Sequence, residues 1–259
     1  MIPKIIHYCW FGGNPLPKLA KKCIKSWKKY CKGYEIREWN EQTFDIASAP
    51  LYVRQAYEAK KWAFVTDYVR LYAMTTYGGI YMDTDVEVVA PLDPFLHHQA
   101  FSGFESKVDI PTGIMACEKD FPLFVEFLRY YDDARFINED GSINMTTNVT
   151  IMTGICLKYG LVRNGEYQEV NGFTLYPPEV FCPVNCLNGY INRTDNTVTI
   201  HWFNGSWLPE EVQKAKKEHI RQRKRNDRKE FWKYLPNRTI HKLLGDEKYK
   251  KIKDFLTKK

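Results

Sequence analysis

The chain has 259 residues, 44% of them hydrophobic and 15% aromatic, which is enough to bury one sizeable core and too apolar for a disordered segment. No run of about 18 apolar residues occurs, and residues 1–22 lack an uninterrupted apolar stretch, which argues against a membrane-spanning helix and a secretory leader; a cytoplasmic location is the expectation. The net charge of +7 conceals an asymmetry: residues 208–259 hold 18 Lys/Arg against 8 Asp/Glu, and the preceding 207 residues hold 20 against 23. A mildly acidic globular unit, 1–207, followed by a basic helical extension, 208–259, is therefore expected. The natural partners of the extension are anionic lipid or nucleic acid. Seven cysteines, an odd number at irregular spacing, fit reduced thiols better than a disulfide framework, and the lone CxxxC of Cys182 and Cys186 lacks the second ligand pair of a zinc site.

In chain order, "PKIIHYCWFGG" reads as an opening strand ended by a glycine turn. Residues 17–31 read as a helix with its apolar stripe at Leu19, Cys23, Ile24 and Trp27. "YEIREWNE" is a second short strand. Residues 51–77 are helical in period, with a break near Trp62. A strand follows Asp83, another covers residues 100–104, and Phe121, Phe124, Val125 and Leu128 mark a helix over 121–131. Between 160 and 200 the pairs Asn164-Gly165, Asn171-Gly172 and Asn188-Gly189 predict hairpins. "TVTIHW" is a last strand, and the chain from Pro209 onward is helical. Strands alternating with helices and then hairpins give an α/β fold with a mixed sheet. No internal repeat or low-complexity segment is visible.

The stretch "TTYGGIYMDTDVEVV" carries the chemistry. Its flanks are β-branched and aromatic, so Asp83 and Asp85 are expected on one face of a strand, two residues apart. Two bare like charges there repel, and a hard divalent cation with oxygen ligands is the partner such a pair calls for. An EF-hand loop is excluded, since its sixth and twelfth positions would be Val88 and Pro94. Asp67 and Arg70, three apart on the preceding helix, share a face that runs toward the same turn; otherwise they are a surface ion pair of a few tenths of a kcal/mol. His201, at a strand end before the turn "FNGSW", is a candidate third ligand.

Together, "IPKIIHYCWFGG", "YEIREWNE", "FVTDYVRLYAMTTYGGIYMDTDVEV" and "HWFNGSW" resemble the glycosyltransferase family 32 of bacterial capsular polysaccharide enzymes and the yeast initiating mannosyltransferase, which is similar to the catalytic domain of clostridial glucosylating toxins. The match is dense over residues 2–95 and returns at 201–207. The resemblance implies a GT-A type α/β/α sandwich, a nucleotide-diphosphate sugar donor with UDP the expected carrier, Mn²⁺ or Mg²⁺ as cofactor, and retention of configuration. Under it, Asp83 touches ribose or sugar, Asp85 holds the metal and Tyr81 lines the nucleotide. Trp10 stacks on the base, and Asp67 and Arg70 grip the sugar hydroxyls and the phosphate side. His201, Ser206 and Trp207 close on the metal and the β-phosphate. The acceptor would be a glycan or lipid-linked oligosaccharide of surface polysaccharide synthesis; donor sugar, base, acceptor and linkage all depend on loops 104–118 and 132–150. The relatives' Thr-Gly-Pro reads Thr-Gly-Ile at 153–155, so no acceptor role passes to Thr153.

Two other classes compete. An aspartyl-nucleophile phosphatase also carries a D-x-D at a strand end, but would need an acidic pair after a later strand, and Asp132-Asp133 follows a helix. A nucleic-acid-binding protein would use the basic run 216–238, although such a run is more often a solvated helix face. The apolar residues Val212, Ala215, His219, Ile220, Phe231, Trp232, Tyr234 and Leu235, interleaved with Lys and Arg, also allow that segment to lie on an anionic inner leaflet as a peripheral membrane helix.

Overall fold

A computed structural model describes residues 1–186, 188–205 and 210–234. The chain divides into two units, 1–207 and 208–259. In the first, β1 (Ile5–Cys9), α1 (Lys18–Tyr30), β2 (Glu35–Trp39), α2 (Leu51–Glu58), α3 (Trp62–Tyr77), β3 (Gly79–Met82) and β4 (Val86–Val88) follow one another. Then come β5 (Ala100–Gly103), β6 (Ile114–Cys117), α4 (Pro122–Arg129), α5 (Asn148–Lys158), β7 (Gln168–Val170), β8 (Phe173–Tyr176), α6 (Pro178–Phe181) and β9 (Thr199–His201). The second unit is described over α7, Glu210–Tyr234; Leu235 and the rest of the extension lie outside the described residues.

The principal sheet has the order β2-β1-β3-β6-β5-β8-β7 and is mixed, as the sequence predicts: β1 runs parallel to β2 and β3, whereas β6 is antiparallel to both β3 and β5. The period of two sorts each strand between two cores. Ile80 and Met82 of β3 pack with Cys23, Trp27, Val86 and Phe181, and Tyr81 packs with Val65, Val69 and Phe124 on the opposite face. One face is thus covered by α2, α3, α4 and α5. The other is covered by α1, α6 and a separate antiparallel ladder of β4 and β9, so this layer is only partly helical.

Trp27 ties the second layer together. It is completely buried, and its indole N–H donates to the Val86 carbonyl at 2.7 Å. Truncating such a side chain costs about 3–5 kcal/mol.

Three expectations need correction. Asp83 and Asp85 do not lie along a strand: β3 stops at Met82, and Asp83-Thr84-Asp85 form a turn closed by the Val86 N–H on the Asp83 carbonyl at 2.9 Å. Of the Asn-Gly pairs, Asn171-Gly172 makes the hairpin between β7 and β8, with both residues at positive φ, 50° and 77°, as a type I′ turn requires. Asn164-Gly165 joins no strands; the Asn164 side chain accepts the Glu166 N–H instead. Around Asn188-Gly189 the described residues form one bridge, Val184 to Ile191. Strand β6 and helix α5 were not anticipated.

The glycine pair at the start of β3 is dictated by space and by backbone geometry. Gly79 has φ +109°, and a Cβ there would lie 2.6 Å from the Ile5 carbonyl oxygen, in the strand alongside. Gly79→Ala is therefore expected to destabilise the unit by about 2 kcal/mol or more, read as a lowered denaturant midpoint with an unchanged slope. A loss below about 0.5 kcal/mol, the range of neutral surface changes, would show that the strand can shift to make room.

Candidate functional site

The parallel strands β1 and β3 end side by side, and the loops leaving their C-terminal ends carry Trp10 and Asp83. In open α/β sheets such strand ends are where ligands collect. The β4–β9 ladder then fixes the third element, because Val86 pairs with His201, placing the imidazole opposite the acidic turn. Asp83, Asp85 and His201 offer ligand atoms that all lie within 4.8 Å of one another, the cluster of metal-ligating side chains found among the described residues.

His201 Nε2 stands 3.3 Å from Asp85 Oδ1 and 4.0 Å from Asp83 Oδ2, so one nitrogen faces both carboxylates. The other, Nδ1, is buried, and the Cys182 side chain adds to the groups that favour the protonated ring. Asp85 is fixed from the far side by the Asn204 N–H on Oδ2 at 2.7 Å, and its carbonyl accepts the Trp202 N–H. Burial opposes the charged forms of both partners, but their mutual attraction outweighs it: His201 is held well above 6.5 and Asp85 below 3.8. Two carboxylates and an imidazole form a donor set that suits a divalent ion of the Mn²⁺ kind; Mg²⁺ would rely more on the carboxylates and water.

Asp83 has its own cation. Arg70 Nη1 lies 3.4 Å from Asp83 Oδ1, and the Tyr81 hydroxyl donates to the same oxygen at 2.8 Å. Arg70 Nη2 pairs with Asp67 at 3.3 Å. Of the two alternatives, a face toward the acidic turn or a surface ion pair, the pair takes the first and is buried, with Arg70 5% exposed and Asp67 8%. Each guanidinium nitrogen has a protein partner: Nε donates to the Thr66 carbonyl, Nη1 to the Thr112 carbonyl at 2.7 Å, and Nη2 to the Thr66 hydroxyl. Arg70 thus organises the two aspartates before any ligand arrives. Burial pushes the Asp67 carboxyl up, Arg70 pulls it back, and it settles at about 6. Tyr81, expected to line a nucleotide, is 1% exposed and lies beneath the Arg70 guanidinium, 4.7 Å from its ring centroid, so it supports Asp83 and Arg70 from below.

Trp10 is half-buried, and its indole N–H donates to the Asn14 carbonyl at 2.5 Å, which folds the loop after β1 back on itself. Gly12 in that loop sits so close to Trp62 that a Cβ would fall 2.7 Å from its indole nitrogen. Ser206 and Trp207 lie outside the described residues.

Sequence reasoning missed the segment 112–113. The Thr112 carbonyl binds Arg70, the Gly113 carbonyl accepts the Asp83 N–H at 2.8 Å, and a Cβ on Gly113 would come within 2.5 Å of the His201 ring. A glycine before an apolar tetrapeptide was the available signal. Glu105 was also missed. Burial raises its carboxyl to about 7, with His201 opposing and Asp109 and Asp83 reinforcing that shift, so it belongs to the same electrostatic neighbourhood. Nothing in its sequence surroundings marks it.

The signs of these shifts fix a pH dependence. His201 has a raised value, so its contribution is complete below 6.5 and fades as pH rises through its folded value; the lowered Asp85 contributes above 3.8. Asp67, raised to about 6, contributes below 3.8 and has lost that contribution above its folded value. In chelator, the protein is expected to lose melting temperature as pH rises from 6.5 toward 9, and His201→Gln to flatten that slope. Parallel profiles for the two proteins would contradict the His201–Asp85 pairing.

Residues 17–102 match the family model described as a glycosyltransferase sugar-binding region containing a DXD motif. The chain is 31% identical over 132 residues to inositol phosphoceramide mannosyltransferase 3 of Schizosaccharomyces pombe, a match covering 49% of this chain and 36% of that protein, so it spans about a third of that relative's length. It is 24% identical over 234 residues to an uncharacterised glycosyltransferase of Acanthamoeba polyphaga mimivirus, covering 81% of this chain and 85% of the other. Among solved structures it is similar to the PaToxG glycosyltransferase, with TM-score 0.47, 18% identity and coverage of 61% of this chain and 69% of that one. Residues 17–102, with Asp83 and Asp85 among them, are thus similar to the sugar-binding region of DXD-containing glycosyltransferases.

Proposed function

We propose that this protein is a metal-dependent, retaining glycosyltransferase of GT-A type that moves a sugar from a nucleotide-diphosphate donor, with UDP the expected carrier, to a glycan or lipid-linked acceptor in surface polysaccharide synthesis. The observation that carries the reading is the convergence of His201, from β9, on Asp83 and Asp85 at the end of a buried strand, the two aspartates lying inside the segment that matches the DXD sugar-binding region.

Cleaving a glycosyl phosphate bond leaves a diphosphate with growing negative charge, and a bound Mn²⁺ or Mg²⁺ would supply the Lewis acidity that stabilises it. Asp85 and His201 would hold the ion, with Asp83 completing the set. Arg70 adds a permanent buried positive charge one carboxylate away, and its fixed partners keep Asp83 and Asp67 in place without reorganisation during reaction. Asp67 offers carboxylate oxygen to donor hydroxyls. The clustered carboxylates favour the oxocarbenium-like sugar that develops as the bond stretches. Trp10, on the loop after β1, is the ring proposed to stack on the base, and Ser206 and Trp207 are the residues proposed to close over the β-phosphate. The basic extension, of which α7 is the described part, is proposed to hold the protein at the cytoplasmic face of a membrane, where a lipid-linked acceptor would reside.

The test is release of nucleoside diphosphate from a panel of nucleotide sugars. Activity should vanish in chelator and return with Mn²⁺. Asp85→Asn, which keeps the size of the side chain, should lower kcat/KM by at least about 100-fold while the protein remains folded. Full activity in chelator would refute the metal role. Phosphate release from simple monoesters with no nucleotide sugar present would place the protein among aspartyl phosphatases instead, and salt-sensitive RNA binding with no turnover would favour the nucleic-acid reading.

A further inference from the structure

We propose that the lysine face of α1 is a docking surface for an anionic lipid bilayer, separate from the basic extension. Residues 1–34 contain eight lysines and no Asp, Glu or Arg. The remainder of that unit, 35–207, holds 12 Lys/Arg against 23 Asp/Glu, so the unit is strongly polarised.

Six of the eight lie in α1: Lys18, Lys21, Lys22, Lys25, Lys28 and Lys29, all exposed. At about 100° per residue their spacing confines them to an arc of roughly 120°. The opposite arc buries Ala20, Cys23 and Trp27 against the sheet. A merely solvated helix face mixes both signs of charge, because glutamate and glutamine serve solubility and helix propensity as well as lysine does. Lys22 pairs with Glu87 at 2.7 Å; among the described residues no salt bridge engages the other five.

The chemistry favours a bilayer over a discrete anion. Lysine is a strongly hydrated point charge on a flexible stem and lacks the planar fork that reads a fixed phosphate bidentately. Such a stripe matches many mobile headgroups at once, each lysine adding about 1 kcal/mol near an anionic surface. Tyr30, with the Lys29 ammonium 4.6 Å from its ring centroid, closes the helix with the aromatic type that favours the headgroup level. The acidic remainder of the unit would be repelled by the same surface, which fixes which side faces it.

Placement gives the surface a use. Trp27 and Ser26 of α1 bond the backbone of β4 at Val86 and Val88, and β4 follows Asp85 directly. Docking through α1 would therefore hold the candidate site one helix away from the membrane.

The experiment is co-sedimentation of the full chain with phosphatidylcholine vesicles, with and without phosphatidylglycerol, at low and high salt. The chain in which Lys18, Lys21, Lys25 and Lys28 are all replaced by Gln should partition onto the anionic vesicles about 100-fold or more weakly at low salt, and the difference should shrink at high salt. Its melting temperature and nucleotide-sugar turnover should match the parent, since none of these side chains is buried or in the site. Replacing the same four by Arg should preserve binding. Partition unchanged by the Gln substitutions, absence of binding by the parent, equal binding to neutral vesicles, or a loss on RNA as large as that on vesicles would each overturn the proposal.

Discussion

A buried strand that ends in two carboxylates must neutralise them, and the surroundings of Asp83 and Asp85 follow from that requirement. Arg70 takes Asp83 from the α3 side and His201 takes Asp85 from the β9 side. Asp67 completes the balance on Arg70. Counting the three aspartates against Arg70 and a protonated His201 leaves a single negative charge. A divalent ion that displaced the His201 proton would bring the sum to zero, so the proton occupies the role a metal ion is suited to take. A buried ionic network of this kind contributes little net stability, since the desolvation of each charge offsets its attraction, and its presence at a strand end is better understood as preparation of a site.

The rest of the fold supplies rigidity around these charges. Parallel pairing of β1 with β3 aligns the two loops that carry Trp10 and Asp83, and the cross-ladder of Val86 with His201 sets the distance between imidazole and carboxylate. The 112–113 segment acts as a floor, with one carbonyl for Arg70, one for the Asp83 backbone, and a glycine that admits the His201 ring. Asn148, at the start of α5, reaches back to the Asp67 carbonyl at 2.7 Å and anchors the helix bearing Asp67 and Arg70. The candidate site thus draws on both cores, which is why its members are scattered from position 67 to 204.

Much of this was legible in the sequence because periodicity and charge spacing are local. The stripe of Leu19, Cys23, Ile24 and Trp27 defines α1, the break near Trp62 separates α2 from α3, and the three-residue step from Asp67 to Arg70 puts both on one face. What was lost depends on contacts between distant segments. Strand β6, "IMAC", is buried on both faces and shows no alternation, so its period is silent. Helix α5 begins "NVT", residues that favour caps and strands, and only packing makes them helical. The apolar flanks of the D-x-D read as one strand, but they belong to β3 and β4, which sit in different sheets, and a turn must join them. The burial of Arg70 and the closeness of Gly113 to His201 have no local signature.

The most direct test is a crystal of the full chain grown with Mn²⁺ and examined by anomalous diffraction at the manganese edge. A peak within bonding distance of Asp85 and His201 Nε2, about 2.0–2.3 Å, with Asp83 in the same shell, is the result this reading requires. Manganese found only elsewhere on the surface, or a His201–Asp85 contact left intact at saturating Mn²⁺ and neutral pH, would contradict it.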